Sequence, residues 1–216
     1  MISAIVPIKR ESQRVPNKNF RTINEKPLFF WIITTLHSSD YIDEIVINCD
    51  DIYVEQQLNE HFDFLKFVYR PTELIGNEIS MNKIIEYTIP YCKNDSIIQT
   101  HTTNPLLSVD TINDVIEKHL KSNSNFFSVT SLQERLYDKK GKPINHKISE
   151  LIQTQDLETL YIENSGFYVF TKENFKNNDS RVSSNSTFFE TTFPENIDID
   201  NEYDFQIADL VLKNLL

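Results

Sequence analysis

Glycine is nearly missing: the 216-residue chain has three, Gly76, Gly141 and Gly166. A P-loop and a dinucleotide-binding turn both need glycines to bring backbone N–H groups against phosphate, so neither is present. Cysteine is as sparse. Cys49 and Cys92 make no CxxC pair, which excludes a disulfide framework and a zinc site of ordinary spacing and fits a reducing compartment. Both read as small buried hydrophobes. No apolar run approaches the length a bilayer requires, and the opening MISAIVPIKR has no basic segment ahead of its apolar stretch, so a cytoplasmic chain without a membrane partner is expected. Positive charge is also short, with 21 Lys and Arg against 32 Asp and Glu for a formal net charge of -11. Such a surface repels nucleic acid and anionic lipid, so an anionic ligand would have to be met by a local basic site.

What is present alternates. SAIVP (3–7), DEIVINC (43–49), LKFVY (65–69) and DSIIQT (95–100) are short and rich in Ile and Val, as strands buried on both faces are. Between them, 26–39, 51–62, 80–92 and 109–122 carry apolar residues at helical spacing, with Pro27 in a first turn and Asp110 as a cap. The alternation predicts one α/β domain over 1–216, built on a mostly parallel sheet with right-handed crossovers. Further strands are expected at 125–132 and 164–170 and a loop at 177–186, and the last helix follows a cap at Asp200 or Asn201. Residues 133–163 are polar and weakly periodic, and read as an arm outside the main sheet.

Against the acidic background, VPIKRESQRVPNKNF (6–20) sets Lys9, Arg10, Arg14 and Lys18 in the loop after the first strand. Open α/β folds bind ligands at that carboxyl edge. Without glycine, a phosphate grip there must rely on Lys and Arg side chains, helped by Ser12 and backbone N–H groups. A second signal is IDID (197–200). In extended chain, residues two apart share a side, so Asp198 and Asp200 present two carboxylates while Ile197 and Ile199 face inward. Two carboxylates beside phosphate suit Mg2+.

AIVPIKRESQRVPNKNFRTINEKPL resembles the N-terminal signature of the CMP-sialic acid synthetase (acylneuraminate cytidylyltransferase) family, roughly IPARxxSKxxPxKNxxxxxxKPL, with Pro7, Ser12, Pro16, Lys18, Asn19, Lys26, Pro27 and Leu28 in register. IVINCDD, YRPTELIGNE, THTTNPLL, ENSGFYVF and NIDIDNEYDFQIAD resemble later blocks of the same family in the same order. The resemblance implies a Rossmann-like, GT-A-like nucleotidyltransferase of three α/β/α layers that moves CMP from CTP to a nonulosonic 2-keto sugar acid for surface glycan biosynthesis. It implies that Pro7, Lys9, Arg10, Ser12, Gln13, Arg14, Lys18, Asn19 and Arg70 hold the nucleotide. His101, Thr102, Thr103, Asn104 and Asn164 would face the acceptor, and Asp198 and Asp200 would hold magnesium. Lys9, Lys18 and Asp200 would carry catalysis, and the arm would join a homodimer. Departures are Lys9 for arginine, Gln13 for lysine, Asn77 for aspartate, His101 for glutamine, Leu107 for arginine and Glu11 at a position often small; Arg181 sits in a loop where members often place an arginine. Competing readings are another acceptor such as Kdo, a sugar-nucleotide glycosyltransferase using D-x-D, and a nucleotide-binding protein without turnover.

Overall fold

Successive side chains of the first strand, β1 (Ile2–Ile8), point to opposite sides, and that alternation sets the layers. Ile2, Ala4, Val6 and Ile8 point to one side, and Ile5 points to the other. The computed structural model describes residues 1–76, 78–150 and 152–215. Among them the main sheet has seven strands in the order β5-β4-β1-β6-β8-β7-β9, from β4 (Ile42–Cys49), β5 (Lys66–Tyr69), β6 (Ser96–Thr100), β7 (Phe126–Leu132), β8 (Leu160–Thr171) and β9 (Thr187–Glu190). β5, β4, β1 and β6 pair in parallel, β8 pairs antiparallel with both β6 and β7, and β9 is parallel to β7.

Helices α1 (Leu28–His37), α2 (Ile52–Asn59) and α4 (Val109–Ser122) cover the face that receives Ile45, Ile47, Ile98 and Val169. α3 (Met81–Thr88) and α5 (Lys172–Asn178) cover the other, around Val46, Val68, Ile97 and Tyr168. The three layers implied by the family resemblance are thus formed, and central strands buried on both faces explain their unbroken Ile and Val runs. Both cysteines are buried among these apolar residues, and burial pushes each thiol up to about 12.

Local signals explain most element ends and correct several expected ones. Ser108, rather than Asp110, caps α4 by accepting from Thr111 N at 3.1 Å. Pro27 precedes α1, because Lys26–Pro27 forms β3 of a small hairpin with β2 (Thr22–Ile23). The hairpin's two-residue turn has φ of 44° at Asn24 and 66° at Glu25, the left-handed pair such turns require. α6 (Glu202–Leu215) lies against this hairpin over Ile23, Leu28 and Ile199. Its cap is Asn201, whose Oδ1 accepts from Tyr203 N at 2.8 Å and Asp204 N at 3.1 Å, while Asp204 Oδ2 accepts from Asp200 N and Asn201 N, each at 2.9 Å. This reciprocal capping box leaves the Asp200 carboxylate uninvolved.

The arm is shorter than expected. Residues 160–163 belong to the sheet, where Leu160, Tyr161, Ile162 and Glu163 pair with Leu132, Ser131, Thr130 and Val129. Their run of Leu, Tyr and Ile suits a strand, though the polar stretch before them hid it. β9 was not expected at all; TFFE is four residues long and lies at a sheet edge, too short for a periodic signal.

Candidate active site

β1 ends at Ile8 in the middle of the sheet's carboxyl edge, and the basic loop begins there. Side chains fasten this loop where glycine would otherwise let backbone fold closely. Asn19 Nδ2 donates to Lys9 O at 2.7 Å, and Asn19 Oδ1 accepts from Thr102 Oγ1 at 2.6 Å, tying the loop to the end of β6. Lys18 Nζ donates to Ile199 O at 2.5 Å, and Arg10 N donates to Asp50 Oδ1 at 2.8 Å. Ile199 in turn is buried and donates its N–H to Thr103 O at 2.9 Å, so IDID is an extended segment clamped against the sheet edge rather than a strand.

These ties gather residues far apart in sequence around one cavity of about 440 Å³. Pro7, Lys9, Ser12, Gln13, Arg14, Lys18, Asn19, Arg70, His101, Thr102, Thr103, Asp198 and Asp200 all line it. Three expected site residues do not. Arg10 turns away because α2's cap, Asp51, offers a carboxylate at 2.9 Å on the far side and Tyr53 a ring face at 5.1 Å. Asn104 is buried below the edge, its Nδ2 at 3.5 Å from Ile197 O. Asn164 spends its amide on Thr130 Oγ1 (2.8 Å), Thr191 Oγ1 (2.7 Å) and Gly166 N (3.2 Å), bracing β8 between its neighbours. Asn77 lies outside the described residues.

Glu11, Met81 and Ser165 line the cavity and were not read as site residues. Ser165 has φ of 56°, a left-handed backbone that costs a non-glycine residue about 1–2 kcal/mol. Only the following Gly166 carried a sequence signal. A Cβ there would come within 2.9 Å of Ser128 Oγ, the atom that accepts from Phe167 N.

Positive charge is crowded into this space. Lys18 is 7% exposed, and burial lowers its pKa, with Asp198 and Asp200 pulling the other way. Burial likewise lowers Lys9, and neighbouring Arg70 lowers it further. Arg70 is 6% exposed and also lowered by burial; its Nε donates to Asn48 Oδ1 and its Nη2 to Asn48 O at 3.1 Å and Ile8 O at 3.3 Å. Its Nη1 is buried with no partner among the described residues. Cations that depress one another in a poorly solvated cavity are stabilised by an arriving anion. Opposite them, burial raises the Asp198 pKa, Asp200 adds to the rise, and Oδ1 of Asp198 has no partner among the described residues. Asp200 pairs with Arg14 at 2.7 Å across the solvent-facing mouth.

The family model described as cytidylyltransferase matches residues 3–209. The chain belongs to the cytidylyltransferase family. Pseudaminic acid cytidylyltransferase of Campylobacter jejuni subsp. jejuni serotype O:2 is 26% identical over 226 residues, covering 97% of this chain and 95% of the relative. CMP-N,N'-diacetyllegionaminic acid synthase of Legionella pneumophila is 21% identical, with 98% and 96% covered. Among solved structures, CMP:2-keto-3-deoxy-manno-octonic acid synthetase complexed with CTP superposes with a TM-score of 0.74 at 11% identity, covering 100% of both chains, which shows the shared fold. The Rossmann-like nucleotidyltransferase architecture expected from the motifs is therefore the one found, and the chain is a CTP-dependent nucleotidyltransferase. Among its described residues no helix is long and apolar enough to cross a membrane.

In this cytidylyltransferase the strand order separates two ends of the cavity. Arg70 follows β5, and Met81 opens α3 beside it; His101 follows β6, and Ser165 lies within β8. Four strand spacings, about 19 Å, separate β5 from β8. The basic loop after β1 lies between them.

Proposed function

We propose that this enzyme transfers CMP from CTP to the anomeric hydroxyl of a sialic-acid-like nonulosonic acid and releases pyrophosphate. Asp198 and Asp200 would hold magnesium, and two copies of the chain would act together in the cytoplasm. The observation that carries the reading is the single cavity shared by the basic loop, the two carboxylates and the residues after β6. Relatives named for pseudaminic and legionaminic acids support a nonulosonic acceptor.

In the transfer, the sugar oxygen bonds to the α-phosphorus as the bond to the β-phosphate oxygen breaks. Charge develops on the leaving pyrophosphate, so catalysis rests on position and electrostatics. Lys9 and Lys18 would neutralise that charge, and the burial of Lys18 strengthens its field. Ser12 and Gln13 would bond phosphate oxygens. Arg70, with Nη1 lacking a partner among the described residues, would meet the base or ribose at the β5 end.

The carboxylate pair fits Mg2+, which takes one or two carboxylates and completes its shell with phosphate oxygens and water, and the orphaned Asp198 Oδ1 supplies a ready ligand. Asp198 and Asp200 would hold the ion, whose positive charge, when bound, would offset the triphosphate and lower the pKa of the sugar hydroxyl. Arg14, paired with Asp200 in the free protein, would then be released to a phosphate.

A homodimer is supported by the arm, where Ile144 is 61% and Ile148 75% exposed near an exposed Tyr137, more apolar surface than a solvated loop needs. The test of the whole reading is pyrophosphate release with CTP, magnesium and a panel of pseudaminic, legionaminic and N-acetylneuraminic acids and Kdo. Release with a nonulosonic acid above Kdo is expected. Greater thermal stabilisation by ATP or GTP than by CTP would remove the nucleotide assignment.

A further inference from the structure

Behind the β6–β8 end of the cavity lies a chain of polar groups. Arg181, largely buried in the loop after α5, lies over the Tyr168 ring at 3.8 Å and donates from Nη1 to Gln99 Oε1. Gln99 is fully buried. Because a guanidinium can only donate, the Gln99 oxygen must face Arg181 and its amide nitrogen must face the other way. That Nε2 donates to Thr100 O at 3.0 Å and meets His101 Nε2 at 3.0 Å. Both amide hydrogens are then assigned, and His101 Nε2 must accept one of them. An imidazole that accepts at Nε2 is uncharged and carries its proton on Nδ1. The charged and titratable groups facing His101 agree: Arg181 and Lys18 both oppose a positive ring, and together with burial they push it down to about 3.

We propose that Arg181 is a positioning residue: acting through Gln99, it fixes the tautomer of His101, so that one Nδ1–H donor is offered to an oxygen of the bound sugar acid. The assignment rests on the functional reading above only for the identity of the ligand; the tautomer relay stands on the geometry of the free protein. A guanidinium is suited to this because it cannot lose its proton and so cannot reverse the orientation of the Gln99 amide. Histidine without such a partner would populate both tautomers and so present a lone pair at Nδ1 for part of the time.

The test is long-range 15N NMR of the His101 ring, with acceptor and CTP KM measured on the same proteins. The wild-type ring is expected as the Nδ1–H tautomer and uncharged through pH 6.5, its ordinary pKa. In Gln99→Glu, position 99 still pairs with Arg181 but can no longer donate, so His101 should change to the Nε2–H or doubly protonated form. In Arg181→Gln the tautomers should mix, with the acceptor KM raised roughly five- to tenfold, the value of one hydrogen bond, and the CTP KM unchanged. Arg181→Lys, which keeps a cationic donor toward Gln99, should restore much of the wild-type signal. A wild-type Nε2–H ring, or an Nδ1–H ring that persists in Gln99→Glu, would overturn the relay. If the tautomers respond as expected but the wild type turns over no 2-keto sugar acid, the relay stands and the acceptor assignment fails.

Discussion

The basic loop over 9–19 and the arm over 133–159 are both polar and both outside the sheet, yet they are held in opposite ways. Loop bonds cross the whole chain: Lys18 reaches Ile199 and Thr102 reaches Asn19, so the loop cannot shift without disturbing β6 and the segment before α6. Arm bonds stay inside it. Leu136 N donates to Asn145 Oδ1 at 3.0 Å, Asn145 Nδ2 donates to Glu134 O at 2.8 Å, and Ile144 N donates to Leu136 O at 2.9 Å. The loop therefore buries Lys18 and Asn19 and is tied to distant elements, whereas the arm is locally shaped and leaves Ile144 and Ile148 in solvent. Preorganised charge is what a transition state needs, and exposed apolar side chains are what a second subunit covers.

The contrast breaks most sharply at Lys18. Lys18→Met removes the buried ammonium and its bond to Ile199 O, and pyrophosphate release should fall by roughly 10³. Turnover within tenfold of wild type would mean the loop serves only as a connection.

Asp200→Asn comes next, with a fall of roughly 10² or more that excess magnesium partly restores. Stability should barely change, because Asn201 and Asp204 hold the cap of α6. Near-normal turnover with a lowered melting temperature would assign Asp200 a structural role instead.

For the arm, Ile148→Glu places a charge on the most exposed apolar residue among its described ones. Light scattering should show dissociation to monomer while the denaturant midpoint of the monomer is unchanged. A wild-type chain that is already monomeric and fully active would end the dimer assignment.

The smallest effect is one of pH. Burial lowers His101 to about 3 and lowers His119, whose ring bridges Ser124 O at 2.7 Å and Ser96 Oγ at 2.9 Å. Between the unfolded value of 6.5 and the lower folded value, the unfolded chain binds the proton and the folded chain does not. The stability these rings contribute is therefore full above pH 6.5 and declines as pH falls below it. Urea midpoints should drop through that window, and His101→Gln should make the drop shallower; an unchanged slope would show that the ring is charged in the folded state.

Much of this was legible in the residues alone. Short, unbroken runs rich in Ile and Val marked β1, β4, β5 and β6, since strands buried on both faces leave few other choices. The ordered blocks identified the nucleotidyltransferase family, and thirteen expected site residues line one cavity, most of them on β1 or the segments after β1, β5 and β6, with Asp198 and Asp200 on the extended segment tied to Thr103. Orientation was not legible. Whether Arg10 faces phosphate or Asp51, and whether Asn164 faces sugar or Thr130 and Thr191, depends on partners 41 and at least 27 residues away in sequence. Residues 160–163 follow a polar stretch and leave Tyr161 and Ile162 exposed, so pairing with β7, rather than local pattern, decided their strand. Local chemistry determines caps, turns and buried periodicity through contacts within a few residues. The tautomer of His101, the depressed cations and the left-handed Ser165 arise only when distant elements meet, and only the tertiary structure decides those.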